Sequence, residues 1–139
     1  MRFMMLVIPK GYESAQPGTV PDAKAVEAMM KYNESLQKAG VLLALDGLHP
    51  PSMGARVTFE GGTSTVTDGP FTESKEVLGG YWMIQVRPRD EAIAWASRCP
   101  ASENEVIEIR QVQEFEDFPP DVQKAAEGLK AMQPHPSAR

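Results

Sequence analysis

Two periods of apolar residue alternate along this chain, and the switches between them mark out its elements. Phe3 to Ile8 is continuously apolar and is closed by Pro9 and Gly11, the pattern of a strand buried on both faces. Tyr12 to Pro21 mixes Glu, Ser, Gln, Pro, Gly and Thr and reads as a loop. From Asp22 to Ala39 the period changes. Val26, Met29, Met30 and Leu36 make an apolar stripe among Glu27, Lys31, Glu34 and Lys38, which predicts an amphipathic helix. Asp22 is placed to cap its start, and Gly40 to end it in a left-handed conformation. Val41 to Leu48 returns to a strand pattern, stopped by Gly47 and the His49-Pro50-Pro51 run. Arg56 to Glu60 and Thr63 to Thr67 flank Gly61-Gly62, the signature of a two-residue hairpin, expected near the sheet edge.

The second half repeats the logic. Tyr81 to Val86 predicts a central strand, and Asp90 to Cys99 a short helix with Ala92, Trp95, Ala96 and Cys99 on one stripe, ended by Pro100. Ser102 and Glu105 match a helix capping box. The residues that follow, Val106 to Val112, alternate Ile107 and Ile109 against Glu108 and Arg110, so a strand is expected there and the box is a false lead. Pro119, Pro120 and Asp121 open a helix from Asp121 to Met132 with Val122, Ala125, Ala126, Leu129 and Met132 on one face. Residues from Gln133 onward are expected to fray.

Strand, helix, strand, hairpin, strand, helix, strand is an α+β order, the ferredoxin-like split βαβ plan with an inserted β-hairpin. Two helices cover one face of such a sheet. Strands apolar on both faces would leave the other face bare, which predicts a homodimer with sheets packed face to face. Residues 1–115 form the domain, and residues 116–139 a C-terminal helical extension and tail.

Composition narrows the class. With 139 residues, 42% hydrophobic and 24% charged, the chain has enough apolar content for one core. The net charge of −5 argues against direct nucleic-acid binding, which relies on clustered Lys and Arg. No run approaches the roughly 18 apolar residues of a membrane span. The N-terminal basic-then-apolar stretch is cut by Pro9 too early for a secretory segment, so a cytoplasmic location and no membrane association are expected. Cys99 is the single cysteine and can form no internal disulfide. Without Cys-x-x-Cys, and with only His49 and His135, no metal and no cofactor are expected.

The chemistry-bearing stretch is Asp68 to Tyr81, where turn formers, charges and glycines sit between two apolar runs. An Asp in a turn usually accepts from the N–H two residues on, but Pro70 has none. Asp68 therefore either caps Phe71 or a later amide, in a short turn through Thr72, or is free to bind something else. His49 follows a strand in a proline-rich loop and is either a general acid or base or a solvent-facing loop histidine. The hairpin between them starts and returns on one side of the sheet, so Asp68 could orient the His49 imidazole. Lys75 could hold an anion or pair with Glu73 or Glu76 in solvent. Gly79-Gly80 suits a close backbone approach or an anion nest. Cys99, on an apolar stripe, reads as a buried inert thiol.

The run from Val66 to Tyr81, with Lys38-Ala39-Gly40-Val41-Leu42-Leu43 and Gly47-Leu48-His49-Pro50, resembles the DGPF subgroup of YCII-related proteins. The resemblance covers residues 1–115 and implies a ferredoxin-like dimeric α/β barrel. In the YciI-like branch it implies catalysis by a histidine on the first helix and an aspartate before a proline after the second, and one relative is a dehydrochlorinase. Those positions are Met29 and Cys99 here, so that branch's chemistry does not transfer. Two functional readings remain. In one, His49 is general acid or base, Asp68 orients it, and Lys75 or the Gly79-Gly80 backbone holds a small anionic or enolisable molecule. In the other, the protein is a non-catalytic binding or regulatory dimer. The resemblance points there to proteins encoded beside extracytoplasmic-function sigma factors, and the tail helix would face a sigma-factor-related partner.

Overall fold

The computed structural model describes residues 1–71 and 73–133. Four antiparallel strands form the main sheet in the order β2 (Leu42–Gly47), β5 (Gly80–Gln85), β1 (Arg2–Ile8), β6 (Val106–Gln111). Helices α1 (Ala23–Lys38) and α2 (Arg89–Ser97) cover one face, giving the ferredoxin-like α+β arrangement expected from the element order. The Asp22 carboxylate accepts from the Ala25 N–H at 2.8 Å, and Gly40 ends α1 with φ 72°.

Alternation along the central strands decides which residues enter the core. Phe3 and Met5 of β1 and Trp82 and Ile84 of β5 point under the helices and are buried, together with Leu36 and Val41. Full burial of a side chain such as Leu36 or Ile84 contributes about 1.5 to 3 kcal/mol. Tyr32 and Trp82 meet edge to face with centroids 5.4 Å apart. Their polar ends are satisfied: Tyr32 Oη donates to the Trp95 carbonyl at 2.7 Å, and Trp82 Nε1 donates to Asn33 Oδ1 at 2.8 Å. One aromatic pair thus ties α1, β5 and α2 together.

The inward stripe of α1 differs from the expected one. Val26 and Met30 are exposed, and the residues turned inward are Met29, Tyr32 and Leu36, spaced three and four apart. Tyr32 buries its ring because its hydroxyl finds a carbonyl, which an apolar-residue pattern does not register. The other sheet face, with Met4, Leu6, Ile8, Tyr81 and Met83, is half-buried and lies under neither α1 nor α2.

Strands β3 (Ala55–Glu60) and β4 (Thr63–Asp68) form the expected hairpin, with both turn glycines at positive φ (58° and 80°). The pair makes a two-stranded sheet of its own instead of an edge of the main one, and every residue in it is exposed. After Ser102 the capping-box geometry is half made, the Glu105 carboxylate accepting from the Ser102 N–H at 2.5 Å, yet β6 follows and no helix does.

Beyond β6 the Arg2 guanidinium grips Glu114 through two bonds, 2.7 and 2.9 Å. The expected helix from Asp121 to Met132 is broken into α3 (Pro120–Ala125) and α4 (Leu129–Met132) by Gly128 at φ 90°. Val122 and Met132 are exposed, and the five apolar residues share no single helix face. His135 and the expected frayed end from residue 134 lie outside the described residues. No helix among the described residues is long and apolar enough to cross a membrane.

Candidate functional site

Backbone geometry at the end of β2 builds the site. Gly79 donates its N–H to the Val7 carbonyl (2.8 Å) and accepts from the Leu48 N–H (2.9 Å), so it ties the chain on both sides just before β5 begins. A Cβ on Gly79 would stand 2.6 Å from the Pro9 ring, and one on Gly80 would stand 2.8 Å from the Asp46 carbonyl oxygen. Both positions therefore serve close approach. The Gly79 N–H is already spent on Val7 and is not free to cradle an anion.

Around this junction opens a cleft of about 600 Å³, the size of a small-molecule pocket. Its apolar walls include Val7, Pro9, Val20, Met29, Leu45 and Trp82, contributed by β1, α1, β2, β5 and the Tyr12–Pro21 loop. The polar groups are few: Tyr12, Thr19, Asn33, Asp46, His49, Tyr81 and Glu105. Asp46 and Tyr81 stand opposite each other in the β2–β5 ladder, and Tyr81 Oη donates to Asp46 Oδ2 at 2.9 Å. That bond raises the Tyr81 phenol above its ordinary value, because losing the proton would set two negative oxygens side by side. Tyr12 closes the loop over the cleft by donating to the Leu48 carbonyl at 2.5 Å, and burial raises its phenol.

The residues singled out in the sequence part company here. His49, Gly79 and Gly80 line the cleft, whereas Asp68 and Lys75 are not among its lining residues. Asp68 ends β4 beside Ala55, exposed, and no hydrogen bond joins it to His49 among the described residues. The loop that follows is held from the hairpin side. Gly69 N–H donates to the Gly54 carbonyl at 2.9 Å, Arg56 Nη1 donates to Ser74 Oγ at 2.8 Å, and the Arg56 guanidinium lies 4.0 Å from the Phe71 ring centre. Val77 is buried.

Met29 is a wall of the cleft. Cys99 packs half-buried against the core, and burial pushes its thiol up to about 11, which favours the protonated thiol over the thiolate.

Asp46, Tyr81, Tyr12, Asn33 and Glu105 did not stand out in the sequence. One signal was present: Asn33 sits four residues after Met29 on the inward face of α1, where an amide needs a buried partner. The Asp46–Tyr81 pairing had none, because it depends on register between strands 35 residues apart.

Fold and cleft together define a ferredoxin-like α+β protein with an apolar pocket at the end of its edge strand β2. The chain belongs to the YCII-related domain family, whose model matches residues 1–116. It is also similar to an uncharacterized protein of Rhizobium meliloti (strain 1021), 31% identical over 75 residues. That match covers 54% of this chain and 60% of the relative's length.

Proposed function

We propose that this protein binds a small organic molecule in the cleft between α1, the Tyr12–Pro21 loop and the end of β2, and that His49 is its acid–base group. The observation that carries the reading is the composition of the lining: mostly apolar wall, a few convergent polar groups and, among the described residues, one imidazole, His49, in a pocket of about 600 Å³. His49 is exposed at the cleft, where it can exchange protons with solvent between turnovers. The pair Asp46–Tyr81 and the amide of Asn33 orient the ligand. Asp68, away from the lining, belongs to the loop framework in this reading.

The proposed working unit is a homodimer joined through the sheet face that α1 and α2 leave free. Its central strip of Met4, Leu6, Ile8 and Met83 supplies the apolar contact, flanked by Glu108 and Arg110. Sedimentation at micromolar concentration should give twice the chain mass, and Leu6→Lys should halve it. A folded wild-type monomer would remove the dimer from the proposal.

The site is tested by screening metabolites against the wild type and against Met29→Trp, which fills the cleft. Ligands should be lost in the filled variant. His49→Ala should keep binding within about threefold while lowering any turnover by a factor of about 100 or more. Ligands indifferent to Met29→Trp would place binding elsewhere, and turnover indifferent to His49→Ala would make the protein a binder only.

A further inference from the structure

Hydrogen-bonding capacity in the cleft is one-sided. Each hydroxyl among the described lining residues has its single proton spent inside the protein: Tyr12 on the Leu48 carbonyl, Thr19 on the Gln16 carbonyl at 2.6 Å, and Tyr81 on Asp46. The Trp82 indole N–H is spent on Asn33. The side-chain donors left are the Asn33 amide nitrogen, which contacts Met30 Sδ at 3.6 Å, and the His49 imidazole; the rest is acceptor capacity. The Asp46 carboxylate takes one bond, from Tyr81, out of the roughly four its lone pairs allow. Glu105 takes one, from the Ser102 N–H through Oε1, and leaves Oε2 open. None of the described lining residues is a lysine or arginine.

Charge points the same way as the donor count. Among the described residues, an anion in this cleft would meet two carboxylates and no lysine or arginine. A cation would find both carboxylates with unused lone pairs and an apolar wall for whatever carries it.

We propose that the cleft takes a protonated amine carried on a compact apolar or aromatic body, with the Asp46 carboxylate, oriented by Tyr81, as its counter-charge. This rests on the small-molecule reading of the same cleft and adds the chemical class of the ligand. The ammonium donates to the open positions on Asp46, and its carrier lies against Met29, Leu45 and Trp82. Tyr81 has a positioning role: its bond to Oδ2 holds the carboxylate in one orientation and leaves the other oxygen for the ligand.

The test uses three probes of one shape, 4-phenylbutylamine, 4-phenylbutanol and 4-phenylbutanoate, titrated into the full chain while backbone amide resonances are followed. The amine should shift resonances at Asp46, Tyr81 and Trp82, and bind at least about tenfold more tightly than the carboxylate, with the alcohol between them. In Asp46→Asn, which preserves the acceptor for Tyr81, the amine and the carboxylate should come within about threefold of each other. Tyr81→Phe keeps the charge and should retain most of the amine preference, which separates charge from hydroxyl and guards against a misfolded Asp46 variant. Glu105→Gln should reduce the preference by a smaller factor. A carboxylate that binds as well as the amine, and is lost in Met29→Trp, would overturn the amine proposal and leave the cleft a small-molecule site. Failure of all three probes to move any cleft resonance would overturn the amine proposal, while the metabolite screen against Met29→Trp decides the small-molecule reading.

Discussion

The main sheet and the β3–β4 hairpin are both antiparallel, yet the main sheet holds the core and the hairpin buries none of its own residues. Strand β5 buries Gly80, Trp82 and Ile84, while in β3 and β4 every residue is exposed, Phe59 to 80%. The difference lies in what stands over each sheet. Two helices cover β5, and none among the described residues covers the hairpin, whose Val57, Phe59 and Val66 share one face. Hairpin order therefore comes from local causes, a two-glycine turn and its own ladder, and main-sheet order from burial. The two regions meet where the Gly69 N–H bonds the Gly54 carbonyl and Arg56 grips Phe71 and Ser74, so the hairpin acts as a brace for the loop that leads to Gly79 and the cleft.

The contrast breaks most visibly in the body. Leu36→Ala should lower unfolding free energy by about 2 to 5 kcal/mol in chemical denaturation. A loss under about 1 kcal/mol would mean that α1 contributes little to the core. At the junction, a Cβ on Gly69 would stand 1.7 Å from the Pro51 carbonyl oxygen, so Gly69→Ala should cost about 1 to 3 kcal/mol and loosen the loop. Amide exchange around Ser74 and Val77 that stays at wild-type rates would show that the brace does not hold the loop.

A smaller effect is expected where the tail joins the sheet. The hydrogen bonds from Arg2 lower the Glu114 carboxyl below the usual glutamate value. A depressed carboxylate contributes stability that is present above its unfolded value and is lost as pH falls through the folded one. Acid titration of the wild type against Glu114→Gln should differ by about 1 kcal/mol at neutral pH and converge at low pH. Curves that stay parallel throughout would refute that link. The smallest change belongs to the hairpin: Phe59→Ser should alter stability by no more than about 0.5 kcal/mol. A larger loss would mean that the exposed face is covered in solution.

Much of this fold was legible from period and punctuation. The strands around Met5 and Ile84, the cap at Asp22, the turn at Gly61-Gly62 and the stop at Gly40 each follow from a few neighbouring residues. The tail went wrong because one glycine, Gly128, outweighed five apolar residues at helical spacing. For the site, His49, Gly79 and Gly80 line the cleft, while Asp68 and Lys75, their neighbours in the chain, do not.

What the sequence by itself determined is the order of elements, their approximate ends and the family, because these rest on residues close in the chain. Tertiary structure alone decided that Asp46 meets Tyr81, that Tyr32 turns inward and Val26 outward, and that the hydroxyl protons of Tyr12, Thr19 and Tyr81 in the cleft are already spent. Those facts depend on register and partners across dozens of residues: in the β2–β5 ladder a slip of one residue would carry Asp46 to the face opposite Tyr81.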